Sequence, residues 1–115
     1  MLSNIDLQEV HERISSYIYR TPIMTSQYLN GISGAEIYFK CENCQRMGAF
    51  KMRGGANAVL NLSEEKRQKG VVTHSSGNFA QALSLAAKSA GVPAYIVMPS
   101  SAPEVKKEAV RGYGG

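Results

Sequence analysis

Residues 71–99 read VVTHSSGNFAQALSLAAKSAGVPAYIVMP, with two β-branched or aromatic runs, Val71–Ser75 and Ala94–Met98, on either side of a helical stretch. From Asn78 to Ala90 the side chains of Phe79, Leu83, Ala86, Ala87 and Ala90 fall on one face, and Gly91 and Pro93 close the helix. Strand, helix and strand at this spacing predict an α/β protein with a parallel sheet and right-handed crossovers.

Outward from this unit, Ser101 and Glu104 have capping-box spacing for a last helix through Val110. The chain stops at RGYGG, where a helix would hand over to its next strand, so the sheet reads as unfinished and the sequence as truncated. Upstream, Ser63 with Glu64 and Glu65 opens a short helix ended by Lys69 and Gly70. Met52, Ala56, Val59 and Leu60 mark a helix from about Phe50, and Glu36–Glu42 suits a strand in which Ile37, Phe39 and Cys41 alternate with Tyr38 and Lys40. Pro22 is expected to stop the first helix and to force Thr21 to be extended, so RTPIMTS, residues 20–26, reads as a connector. A first helix carries Leu7, Val10, Ile14, Tyr17 and Ile18, with Asp6 and Glu9 as its acidic start.

A chain of 115 residues, 43% hydrophobic, holds one modest core. Its net charge of +4 is mild, and Lys66, Arg67, Lys69, Lys106, Lys107 and Arg111 read as solvated helix surfaces rather than a nucleic-acid face. No apolar run approaches the roughly 20 residues that cross a bilayer, and no secretory leader pattern opens the chain, so a cytoplasmic protein is expected. Cys41 and Cys44 form a lone C-x-x-C without the further ligands zinc needs, and read as free buried or half-buried thiols.

Two stretches sit where a parallel sheet presents ligands, at strand ends that feed helix N-termini. In MGAFKMRGG, residues 47–55, Lys51 falls in a first helical turn, where the positive end of the dipole disfavours an ammonium and suits an amine that must attack a carbonyl. Gly54 and Gly55 each cost that helix roughly 1 kcal/mol against alanine, which calls for a close backbone approach to a cofactor or neighbouring strand. A surface lysine at a frayed helix start is the plainer alternative. In Ser75-Ser76-Gly77-Asn78 the free N–H groups of a helix start make an anion site suited to a carboxylate, with an ordinary N-cap as its alternative. The phosphate-loop, dinucleotide and nucleophile-elbow motifs are absent.

Together RTPIMTS, FKCENCQRMGAFKMRGGANAV, VVTHSSGNFAQALSLAAK and GVPAYIVMP strongly resemble the N-terminal part of the serine racemases and the related serine and threonine dehydratases. The resemblance covers nearly the whole chain and implies the three-layer αβα, tryptophan synthase β-like fold of the fold type II pyridoxal phosphate enzymes, incomplete in this chain. By it, residues 1–70 belong to a large domain and 71–115 begin a small one. Lys51 would hold the cofactor and exchange the Cα proton on one face, with Phe50 beside the cofactor ring. Ser76 would serve the opposite face, and Asn78 would hydrogen-bond the cofactor's ring hydroxyl. Ser75, Ser76, Gly77 and Asn78 would receive a serine or threonine substrate. Reprotonation gives racemisation, and loss of the β-hydroxyl gives dehydration.

The resemblance further implies a cytoplasmic homodimer as the full-length enzyme, with a divalent metal and ATP as further ligands there. Ser26, Gln81 and Tyr113 match positions around the nucleotide site, although Arg46 and Met47 replace the usual Lys-Thr. Phe79 stands where the family has histidine. The phosphate loop, the pyridine-nitrogen partner and the metal ligands would lie past residue 115, and GYGG, which follows a helix, does not replace that loop. The chain is thus expected to act only within a longer enzyme. Alternatives are a threonine synthase or cysteine synthase relative, against which SSGNFAQAL argues, and a non-catalytic truncated paralogue that binds a full-length partner.

Overall fold

The computed structural model describes residues 4–115. The first helix, α1 (Asn4–Ile14), ends eight residues before Pro22 and is followed by a 3-10 turn over Ser15–Tyr17, so the proline is not what stops it. Asp6 already lies inside the first turn, where its carboxylate complements the helix dipole, and so does not open a capping box with Glu9. The stretch expected as a connector contains β1 (Ile23–Met24). Then comes α2 (Gln27–Ser33), whose Ser26 cap accepts the Leu29 N–H at 3.4 Å and whose end turns at Gly34 with φ 67°. That helix has no apolar period strong enough to announce it.

β1 pairs antiparallel with β2 (Phe39–Lys40), Ile23 opposite Lys40 and Met24 opposite Phe39. The strand expected over Glu36–Glu42 therefore shrinks to the two residues its partner can match, and it lies outside the parallel sheet. The predicted helix after Phe50 is α3 (Lys51–Leu60), which buries Met52, Gly55, Ala56 and Val59. α4 (Glu64–Lys69) follows with acids in its first turn and bases in its last. Arg67 is not a solvated surface residue: it donates to the free carbonyls of Leu60 and Leu62 at 2.7 and 3.1 Å, which closes the end of α3.

β3 (Val71–His74) and β4 (Ala94–Val97) pair in parallel, from Val71 opposite Ala94 to His74 opposite Val97, with α5 (Asn78–Ser89) between them. Gly70 enters β3 at φ 86°, and a Cβ there would meet the Pro93 carbonyl at 2.8 Å, so this turn requires glycine. The last helix, α6 (Glu104–Gly112), begins later than its predicted cap. Pro103 precedes it, Ser101 caps nothing, and Glu104 pairs with Arg111 at 2.9 Å and Lys107 at 3.4 Å.

One core joins the two halves of the chain: Ile14, Ile18, Met52, Ala56 and Val59 pack with Leu83, Ala86, Ala87 and Val92. α5 contacts α3, β3, β4 and α6 and is the central element. Only one face of the parallel pair is covered, while Val72, Tyr95 and Val97 on the other are 70%, 60% and 54% exposed. The result is a mixed α/β arrangement, part of the expected three-layer fold.

Candidate active site

The path into α3 is held by side chains. Gln45, 3% exposed, donates to the Tyr19 carbonyl at 2.8 Å and accepts from the Tyr19 and Arg46 N–H groups at 2.8 and 2.9 Å. Arg53, in the first turn of α3, grips both carboxylate oxygens of Glu42, at 2.9 Å from Nε and 2.7 Å from Nη2. The Thr21 hydroxyl donates to the same carboxylate at 2.5 Å, and Lys40 Nζ donates to the Thr21 carbonyl at 2.7 Å. Between these anchors Met47 (φ 54°) and Gly48 (φ 75°) turn the chain through two successive left-handed residues. Met47 is the one non-glycine residue with positive φ among the described residues, and such strain persists where the surroundings impose it.

Hydrogen bonds from Arg53 hold the Glu42 carboxyl down at about 2, outweighing the partial burial that raises it, and the Thr21 hydroxyl and the Lys40 charge act with Arg53. A carboxyl depressed from 4.5 contributes stability that is fully present above that value and is lost as pH falls through the folded one. Screened by solvent at this partly exposed pair, the contribution is on the order of 1 kcal/mol at neutral pH. Urea midpoints are therefore expected to drop between about pH 5 and pH 2. Glu42→Gln should lower stability at pH 6 and flatten that drop, and an undiminished acid slope in the variant would show that other groups produce it.

Lys51 is the first residue of α3, with no acid in that turn. Its ammonium is exposed and lies 5.0 Å from the centroid of the Phe50 ring. Among the described residues it has no hydrogen bond or ion pair. Two cations thus share the helix start, and Glu42 neutralises Arg53 alone.

The second cluster lies on the turn from β3 into α5. Ser75 N–H continues the sheet to the Val97 carbonyl at 3.2 Å, and Ser75 Oγ accepts from Gly77 N–H at 3.3 Å. Gly77 occupies the capping position, no side chain caps the helix, and Asn78 is its first residue, so the ordinary serine or asparagine cap does not form. Ser76 and Asn78 are exposed, and nothing lies within 4 Å of where a Gly77 Cβ would stand. The first-turn N–H groups are left open to an anion.

α3 and α5 pack directly: a Cβ on Gly55 would stand 3.0 Å from the Ala82 carbonyl carbon and oxygen. The close approach expected of the glycine pair is therefore made by Gly55 to a helix rather than a strand, while Gly54 faces open space. No hydrogen bond joins Lys51 to Ser76 or Asn78 among the described residues. Phe79 lines a cavity of about 450 Å³ with Leu83, Leu62 and Lys66, which does not include Lys51, Ser76 or Asn78. Ser26 caps α2, Gln81 is buried within α5, and Tyr113 follows α6; no hydrogen bond links any two of them among the described residues. Cys41 is half-buried as expected, whereas Cys44 is exposed because its 3-10 turn carries it outward. No three His, Cys, Asp or Glu side chains group as a metal would need among the described residues.

Sequence reasoning missed Thr21, Glu42, Gln45 and Arg53. Their contacts span 11 to 34 residues and follow no helical or strand period, so no local pattern marks them. The arrangement offers an unpaired amine beside an aromatic ring and an uncapped helix start, which fits a carbonyl-bearing anionic cofactor.

The family described as pyridoxal-phosphate dependent enzyme matches residues 14–115. A serine racemase of Arabidopsis thaliana is 59% identical over 111 residues, covering 96% of this chain and 34% of the relative. A beta-hydroxyaspartate dehydratase of Paracoccus denitrificans is 56% identical over 110 residues, covering 96% of this chain and 35% of the relative. The crystal structure of serine racemase from Dictyostelium discoideum superposes with a TM-score of 0.94 at 53% identity, over 96% of this chain and 36% of that one. The chain spans about a third of the length of the curated relatives it matches.

Proposed function

Because the chain belongs to the pyridoxal-phosphate dependent enzymes, we propose that it supplies the cofactor lysine and the substrate-carboxylate loop of an enzyme that removes the Cα proton of a small β-hydroxy amino acid. The observation that carries this reading is the unpaired Lys51 amine at the head of α3, beside the Phe50 ring. Racemisation of serine and dehydration of serine, threonine or a hydroxyaspartate share that first proton removal. The similarity to both a serine racemase and a beta-hydroxyaspartate dehydratase supports the shared chemistry.

Pyridoxal phosphate, when bound, supplies the electron sink that makes the Cα–H acidic. Lys51 Nζ holds the cofactor and moves the Cα proton on one face. Ser76 Oγ holds a proton for the other face, which inversion requires and dehydration does not. Asn78 orients the cofactor, Phe50 packs at its ring, and Ser75 with the open first-turn N–H groups of α5 binds the substrate carboxylate. Residues 1–70 belong on this reading to a larger domain and 71–115 to a smaller one, in a homodimeric, cytoplasmic enzyme. The proposal does not extend to a nucleotide at Ser26, Gln81 and Tyr113, or to a divalent metal.

Incubation of the enzyme that carries this chain with pyridoxal phosphate, borohydride reduction and mapping of the peptides from these 115 residues test the reading. The cofactor mass is expected on Lys51 in preference to the other six lysines. A label spread evenly, or concentrated elsewhere, would overturn it.

A further inference from the structure

We infer that the Glu42–Arg53 pair is a positioning device that fixes the first turn of α3 against the segment leading into it and so the aim of the Lys51 amine; the inference rests on Lys51 being the cofactor lysine. The segment from Glu42 to Phe50 has no strand and no α-helix, and its own backbone bonds are local: Cys44 to Cys41, Gln45 to Glu42 and Gly48 to Gln45. Met47 packs against the core and Ala49 is buried, and side-chain bonding supplies the directional ties to the rest of the chain. Gln45 and Arg46 reach the backbone of Tyr17 and Tyr19, and Glu42 reaches Thr21 and Arg53. The anchoring stretch is itself fixed, since Ile18 and Thr21 are 9% and 4% exposed.

Residues two apart on a helix point in nearly opposite directions, so drawing Arg53 onto Glu42 turns Lys51 away from that carboxylate. The fork geometry of a bidentate guanidinium–carboxylate pair constrains rotation in a way that a lone ammonium does not. Glu42 is engaged by Arg53 and Thr21, and among the described residues Lys51 stands without a hydrogen bond or ion pair beside Phe50. Glu42 and Arg53 therefore act through Lys51 without touching substrate.

The test uses Arg53→Lys, which keeps the charge and loses the fork, and Glu42→Gln, which loses the charge. Reductive methylation with ¹³C-formaldehyde reports where the Lys51 amine lies without involving the proposed cofactor, because the Phe50 ring shifts its methyl resonance away from those of the other lysines. In both variants that distinctive shift is expected to collapse, while amide exchange in α5 stays protected. Pyridoxal phosphate trapping at Lys51 relative to Lys69 is expected to fall about tenfold. A Lys51 resonance unchanged in Arg53→Lys, or one without a distinctive shift in the parent chain, overturns the inference. Should Glu42→Gln unfold, Arg53→Lys alone decides. If the methyl shift responds as expected but the parent chain shows no preference for Lys51 in trapping, the positioning stands and the cofactor assignment falls.

Discussion

Lys51→Ala is expected to lower turnover of a β-hydroxy amino acid by at least about a thousandfold in the enzyme that carries this chain, because the variant loses both the covalent hold on the cofactor and a proton carrier. On the proposed assignment the loss should fall on kcat, since the turn into α5 that would bind the substrate carboxylate is untouched. Ser76→Ala is the informative partner. On the proposed two-faced mechanism it should remove racemisation by about a hundredfold or more, general acid–base groups contributing at least that much, and spare dehydration, which needs only the Lys51 face. Chiral analysis of the recovered amino acid alongside keto acid release reads both. Equal loss of the two activities would mean that Ser76 serves the shared step or the fold, not one face.

The second large effect is on stability and concerns neighbouring glycines with opposite expectations. Gly55→Val should destabilise by about 3 kcal/mol, because even the first added carbon stands 3.0 Å from the Ala82 backbone, and backbone cannot yield as a flexible side chain can. The helices must then separate across the core they share, in which Met52, Ala56 and Val59 meet Leu83, Ala86 and Ala87. Gly54→Ala meets nothing within 4 Å and should stabilise by roughly 1 kcal/mol through helix propensity. Thermal or urea unfolding of the two variants gives the comparison. A destabilising Gly54→Ala would reveal a close contact at that helix face, and a neutral Gly55→Val would show that α3 and α5 do not lie as close as described.

These contrasts show what a sequence carries and what it does not. The parallel unit over residues 71–99 was legible because its information is local: alternation in β3 and β4, the 3.6-residue stripe of α5, and the closing Gly91 and Pro93 all lie within a few residues of the structure they specify. The same holds for α3 and for Lys51 at its head. The short antiparallel ribbon was not legible, since β1 and β2 have two residues each and exist only because each meets the other. Nor was the beginning of α6, where Pro103 displaced a capping box that spacing alone favoured.

The sequence by itself determined that α1, α3, α4, α5 and α6 form, where the amine sits on its helix and which turn leaves a helix start beside two serines, because each follows from near-neighbour sterics and burial period. Tertiary structure alone decided that Gly55 rather than Gly54 is the contact and that Glu42 binds Arg53. Those outcomes depend on distances between segments separated in the chain, and a bidentate guanidinium–carboxylate pair is a matter of angle and reach that no one-dimensional pattern encodes.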